Sequence, residues 1–152
     1  MKRKMSIRGA APQIASLTFL YLLISFIISS LMKLAFQINS DNRVLTAIGL
    51  ILIVPGIIMV AVSGRMVLRS FNENTLMRTG LYRVFRNPMY AAYFLFIIPG
   101  ICLLLNSWLV LTTIPVNYVL FQIFIQKEYI YLREKFGKEY EEYLKTVLIK
   151  FL

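Results

Sequence analysis

The residues of this chain that could do chemistry gather in two short stretches. The first is Gly80-Leu81-Tyr82-Arg83-Val84-Phe85-Arg86-Asn87-Pro88-Met89-Tyr90. The second opens at Lys127-Glu128 and continues through Leu132-Arg133-Glu134-Lys135-Phe136-Gly137. Asn87 followed by Pro88 is a helix-start signal, with Asn87 as the cap and Pro88 in the first turn. A helix beginning there offers unpaired backbone N–H groups and a positive dipole end beside Arg83 and Arg86, a site suited to a carboxylate or phosphate. Glu128 supplies a carboxylate able to hold an ammonium or ribose hydroxyls. Tyr82, Tyr90, Tyr93 and Tyr118 present aromatic faces that attract cations such as a sulfonium. Together these groups fit a zwitterionic cofactor with a cationic centre, of which S-adenosylmethionine is one. Methyl transfer from a sulfonium is an in-line displacement governed by positioning and desolvation. It suits a chain with no histidine and one cysteine. The same counts exclude a Cys–His nucleophilic pair and a zinc site, so no metal is expected and no catalytic acid or base can be named.

Each group also has a plainer reading. By position, Arg83 and Arg86 read first as topology anchors, and Asn87-Pro88 caps a helix whatever the function. Glu128 could be a solvated charge pairing with Lys127 or Lys135. Tyrosines near a membrane surface more often form an interfacial belt or pack than line a cofactor. Asn117 and Gln122 lie at membrane depth, where polar groups face a partner or a cavity. With Tyr93, they are the candidates for holding the acceptor.

The element that must bring the two stretches together is Asn87–Gln126, 40 residues without a charge. At 1.5 Å per residue that is about 60 Å of helix, twice a hydrocarbon core of roughly 30 Å, so the segment must cross, turn and return. Asn106-Ser107 marks the turn, followed by Trp108, an interface-favouring residue; Pro99-Gly100 is the other possible break, but would leave one arm too short. Two further uncharged stretches, Gly9–Met32 and Val44–Gly64, suit one span each. Four transmembrane helices are therefore expected, near 11–36, 44–68, 88–105 and 108–126. A mean hydropathy of +0.70 and 59% hydrophobic residues agree with a membrane protein and exclude an ordinary soluble domain. The first span is read as a retained helix, since its apolar region is long for a secretory signal and no small-residue cleavage site follows. Pro55-Gly56 is expected to kink the second.

The net charge of +10 is explained by its distribution. Lys2, Arg3, Lys4 and Arg8 precede the first span, five basic residues lie in Arg65–Arg86 and six in Lys127–Lys150. Only Lys33 and Arg43 fall on the other side. Both termini are thus expected in the cytoplasm, with the chain in a plasma or inner membrane. No nucleic-acid reader motif is present, and nucleic acid is not an expected partner. A polar loop, Ile38-Asn39-Ser40-Asp41-Asn42-Arg43, joins the first two spans, and a polar loop near 69–87 joins the second and third. Beyond the fourth span, Leu132, Phe136, Tyr140, Tyr143, Leu144, Val147 and Phe151 recur at spacings of three and four. They predict an amphipathic helix over about 127–150 on the cytoplasmic face, with Gly137 as its point of bending. No repeat or linker divides residues 1–152, which read as one all-α polytopic domain. Pairing into a homo-oligomer is open, as no motif decides it.

Gly80-x-Tyr82-x-x-x-Arg86-Asn87-Pro88-x-Tyr90 resembles the G-x-Y-x-x-x-R-H-P-x-Y signature of the integral-membrane methyltransferases, which include the isoprenylcysteine carboxyl methyltransferases and phospholipid N-methyltransferases. Glu128-Tyr129-x-x-Leu132-x-x-x-Phe136-Gly137-x-x-Tyr140-x-x-Tyr143 resembles that family's E-E-x-x-L-x-x-x-F-G-x-x-Y-x-x-Y. The resemblance covers about 80–152 and implies S-adenosylmethionine bound at the cytoplasmic ends of the hairpin, with a lipid-like acceptor entering from the bilayer. Carried over, Tyr82, Arg86, Asn87, Pro88 and Tyr90 would line one side of the cofactor and Glu128 the other. Two positions depart from the pattern. Asn87 stands in place of histidine and cannot carry a proton, and Tyr129 stands in place of the second glutamate.

The resemblance makes carboxyl O-methylation of an isoprenylcysteine-like molecule the nearest activity, with N-methylation of a phospholipid amine as the alternative. A non-catalytic lipid- or partner-binding protein is the competing class, marked by the Asn87 and Tyr129 departures. A transporter fits poorly, because the spans carry no ionisable residue at mid-depth. An NADPH-dependent sterol reductase fits poorly too, because no added basic site for a 2′-phosphate is present.

Overall fold

The computed structural model describes residues 11–39 and 41–150. The basic residues Lys2, Arg3, Lys4 and Arg8, the loop residue Ser40 and the stripe residue Phe151 lie outside the described residues. Among those described, the chain is helical, with two isolated β-bridges and no strand. The helices are α1 (Ala11–Leu31), α2 (Lys33–Phe36), α3 (Arg43–Glu73), α4 (Leu81–Val84), α5 (Pro88–Ala92), α6 (Ile98–Leu104), α7 (Trp108–Leu111), α8 (Thr113–Phe136) and α9 (Lys138–Thr146), with a π-helical turn at Tyr93–Ile97 between α5 and α6. Among the described residues three stretches are long and apolar enough to cross a membrane: Pro12–Leu31, Arg43–Glu73 and Trp108–Phe136. Pro88–Leu104 is apolar but only 17 residues long, about 25 Å.

Several expected boundaries are corrected. The first helix breaks at Met32, whose φ of −115° and ψ of 46° leave helical space, so the expected span 11–36 becomes α1 followed by the separate turn α2. The second helix outruns 68 and ends only at Glu73, where Asn74 takes a left-handed φ of 52° and returns its N–H to the Ser70 carbonyl. The fourth outruns 126 by ten residues, because nothing between Ile125 and Phe136 breaks a helix. Gly137, at φ 50°, does. Glu128 therefore lies within α8 rather than past its end. The amphipathic helix expected over about 127–150 shrinks to α9. Its apolar residues Tyr140 and Tyr143, with Val147, form a small core with Leu76, Leu132, Phe136 and Leu144.

Packing explains how the spans hold the two motifs at one end. α3 runs along α5, the π turn and α6, while α1 packs on α7 and α8. Close approach of α3 and α6 depends on Gly49 and Gly100. A Cβ on Gly49 would meet the Gly100 carbonyl oxygen at 2.8 Å, and one on Gly100 would meet Ile53 Cγ1 at 2.5 Å. No chain break occurs at Pro99-Gly100. Proline has no N–H for the carbonyl four residues back and clashes with it, and the π turn just before Pro99 widens the helix where that bond is lost. The reversal comes at Asn106, φ 49°, as expected. Its Oδ1 accepts the Ile38 and Asn39 N–H groups at 3.2 and 3.0 Å, and Trp108 Nε1 donates to the Ala35 carbonyl at 3.1 Å. At the opposite end the core of Ile14, Met59, Tyr90, Ala91, Ala92, Phe94, Phe121 and Ile125 joins α1, α3, α5 and α8 directly beneath the motif residues.

Candidate functional site

The two motifs meet. Asn87, at the start of α5, and Tyr129, in α8, are 42 positions apart, and Asn87 Nδ2 donates to Tyr129 Oη at 2.6 Å. This corrects the expected capping role: Asn87 sits at the cap position, but its side chain makes no cap hydrogen bond. The two positions that depart from the methyltransferase pattern are thus bonded to each other. A neutral amide–phenol pair occupies the place where the pattern has histidine and glutamate.

Arg86 is held by the same tyrosine and by α9. Its guanidinium carbon lies 3.3 Å from the Tyr129 ring centroid, and one terminal N–H donates to Tyr140 Oη at 2.7 Å. Tyr143 Oη donates to the Tyr82 carbonyl at 2.9 Å. The chain beyond α9 completes the clamp, as Ile149 N–H donates to the Val84 carbonyl and Arg86 N–H to the Ile149 carbonyl, at 2.8 and 3.0 Å. Residues 82–84 belong to the single turn α4 and residues 85–87 to no helix, so these contacts help to set their geometry. The spacing of Tyr140 and Tyr143 is visible in the sequence. Their role as clamps is not, because each partner lies more than 50 positions away.

The clamped loop closes a cavity of about 440 Å³. Tyr82, Arg86, Asn87, Tyr90 and Glu128 line it. Pro88 does not; it is buried behind the wall. The rest of the lining includes Tyr129, Leu132, Lys135, Phe136, Tyr140 and Tyr143 of the second stretch, together with residues not singled out in the sequence: Gly64, Val67, Leu68 and Phe71 of α3 and Leu76 and Met77 of the following loop. The cavity therefore has a polar end at Arg86, Asn87 and Glu128 and an apolar body. Arg86 Nε and Tyr90 Oη are buried without a hydrogen-bond partner among the described residues. Burial, and next the Glu128 carboxylate, raise the Tyr82 phenol above the usual tyrosine range. Burial, and next its neighbour Tyr140, raise Tyr143. Both phenols are neutral at physiological pH.

The three acceptor candidates lie elsewhere. Tyr93 is half-buried in the π turn, and Asn117 is buried in α8 with its Oδ1 unpaired among the described residues. Gln122 lines a second, polar cavity of about 350 Å³ on the other side of Arg86. None of the three lines the larger cavity. Tyr118 packs on Phe94 and Phe121, and it too is outside the cavity lining. No cluster able to hold a metal ion occurs among the described residues.

The model of the phospholipid methyltransferase family matches residues 43–139, from the start of α3 to the start of α9. Relatives include two proteins described as probable protein-S-isoprenylcysteine O-methyltransferase, from Oryza sativa subsp. indica and subsp. japonica. Each is 32% identical over 79 residues, covering 50% of this chain and 40% of the relative. The matched part is thus less than half the length of those relatives. No solved structure matches.

Proposed function

The chain belongs to the phospholipid methyltransferase family, and we propose that it is an integral-membrane enzyme that methylates a lipid-like acceptor with S-adenosylmethionine. The observation that carries the reading is the convergence of Tyr82, Arg86, Asn87, Tyr90 and Glu128, from two separated motifs, on one cavity of about 440 Å³. That volume lies in the range of small-molecule sites. In this reading Pro88–Leu104 is the fourth crossing, which the contact between Asn87 and Tyr129 supports by joining the two ends of the uncharged segment. The positive-inside rule then puts the motif end and both termini in the cytoplasm of a plasma or inner membrane.

The chemistry of the wall fits this cofactor. Glu128 offers a carboxylate to the methionyl ammonium or the ribose. Arg86 and Tyr90 also line the cavity, and their Nε and Oη, buried in its wall, have no hydrogen-bond partner among the described residues. When bound, S-adenosylmethionine supplies a methyl group on a sulfonium that departs as a neutral thioether. The protein orients the acceptor, excludes water with Leu68, Phe71, Leu132 and Phe136, and presents neutral phenols that do not compete as anions. Asn87 hydrogen-bonds but moves no proton.

With Asn87 unable to take a proton, a carboxylate acceptor such as an isoprenylcysteine is favoured, since it is already ionised and attacks without losing a proton. An amine must first be deprotonated. N-methylation of a phospholipid amine is the second reading, favoured by the family description. The test is transfer of labelled methyl from S-adenosylmethionine to a prenylated cysteine and to phosphatidylethanolamine, with the purified chain. Label on the cysteine derivative that alkali releases as methanol identifies an ester. Alkali-stable label on the phospholipid identifies an amine, and no transfer to either rejects both acceptors.

A further inference from the structure

The second cavity, of about 350 Å³, is separated from the first by Arg86, Tyr129 and Tyr140, which line both. Its other polar walls are Gln122, Gln126, Arg133 and Lys150. It thus has three cations and two amides and no carboxylate. Arg133 is steadied by Glu141, whose carboxylate accepts from its Nε at 2.6 Å. Guanidinium and amide groups arranged in this way suit an oxyanion with several acceptor oxygens, and phosphate is one that arginine forks bind bidentately.

The helix below the cavity says where such a phosphate comes from. Val119, Ile123, Gln126, Ile130 and Arg133 follow one another at spacings of four and three, so they form one face of α8. Val119 and Ile123 are 56% and 61% exposed and project apolar surface on the bilayer side of the polar groups. From Ile123 to Arg133 is about 15 Å along the helix. A soluble anion would use only the upper half of that stripe. A phospholipid uses both halves, its acyl chain along Val119 and Ile123 and its phosphate at Gln126, Arg133 and Lys150.

We propose that this cavity binds the phosphate of an anionic glycerophospholipid, such as phosphatidylglycerol, at a site separate from the cofactor cavity. The site goes beyond the methyl-transfer reading and does not depend on it. The test is native mass spectrometry of the full chain in detergent, comparing retention of phosphatidylglycerol with diacylglycerol of the same acyl chains. Both are measured on the wild type and on Arg133→Gln/Lys150→Gln, with inorganic phosphate as competitor and S-adenosylmethionine binding read in the same preparation. The expected result is at least tenfold preference for phosphatidylglycerol, lost in the double variant and unaffected by millimolar inorganic phosphate, with cofactor binding unchanged. Should the double variant not fold, Lys150→Gln alone, at an exposed position, must lower retention at least threefold. Equal retention of the two lipids, or retention indifferent to the substitutions, overturns the site. Displacement by inorganic phosphate assigns the cavity to a soluble anion and overturns the lipid.

Discussion

Replacing Tyr129 separates the two forces that join the motifs. Tyr129→Phe keeps the ring under Arg86 and removes only the hydroxyl that accepts from Asn87 at 2.6 Å. A neutral hydrogen bond contributes about 0.5–1.5 kcal/mol net, so the cost should be about 1 kcal/mol. Tyr129→Leu also removes the face beneath the guanidinium, 3.3 Å away. A cation–π contact contributes about 0.5–2 kcal/mol, increasing with desolvation, so the total should reach about 2–3 kcal/mol. Cys102 provides the assay: it is the single cysteine and is buried, so its reaction with a maleimide dye reports unfolding on heating. Tyr129→Phe should lower the midpoint modestly and Tyr129→Leu at least twice as far. Equal losses in the two variants would refute the stacking contribution, and no loss in either would refute the joining of the motifs through Tyr129.

Two further pairs of substitutions test the backbone. Gly49→Ala drives a methyl to 2.8 Å from the Gly100 carbonyl and should cost about 1–3 kcal/mol. Gly64→Ala, whose nearest neighbour is Met89 Cε at 3.8 Å, should be tolerated; thermal midpoints read both, and equal midpoints would contradict the close α3–α6 contact. Gly137→Ala meets no atom within 4 Å, so its loss, about 1–3 kcal/mol, should come from the φ of 50° and ψ of −120° alone. Gly137→Asn, no better suited to that ψ, should be similarly destabilised in the same melt, and a neutral result for both would contradict the strain.

How much of this was legible in the sequence depends on the range of the interaction. The meeting of residues 82–90 with Glu128 followed from the 40 uncharged residues between them, since a segment that long must return. The end of the fourth helix was misplaced because the onset of charge at Lys127 marks a change of surroundings, whereas the helix ends where backbone geometry changes, at Gly137. Asn87 was read as a cap by local preference, and an aromatic hydroxyl 42 residues away competed successfully for its amide. The α3 wall of the cavity was illegible because Gly64, Val67, Leu68 and Phe71 look like any apolar span. The polar cavity combined Gln122, visible as a costly amide, with Arg133 and Lys150, which looked like ordinary surface charge.

S-adenosylmethionine binding by calorimetry, on the purified chain and on Glu128→Gln, tests the proposed site most directly. A charge-assisted contact is typically worth about 1.5–3 kcal/mol, so Glu128→Gln should weaken binding by more than tenfold while leaving the Cys102 melting midpoint nearly unchanged. Unchanged affinity in Glu128→Gln would remove Glu128 from the site, and no binding by the wild type at millimolar cofactor would contradict the methyltransferase reading itself.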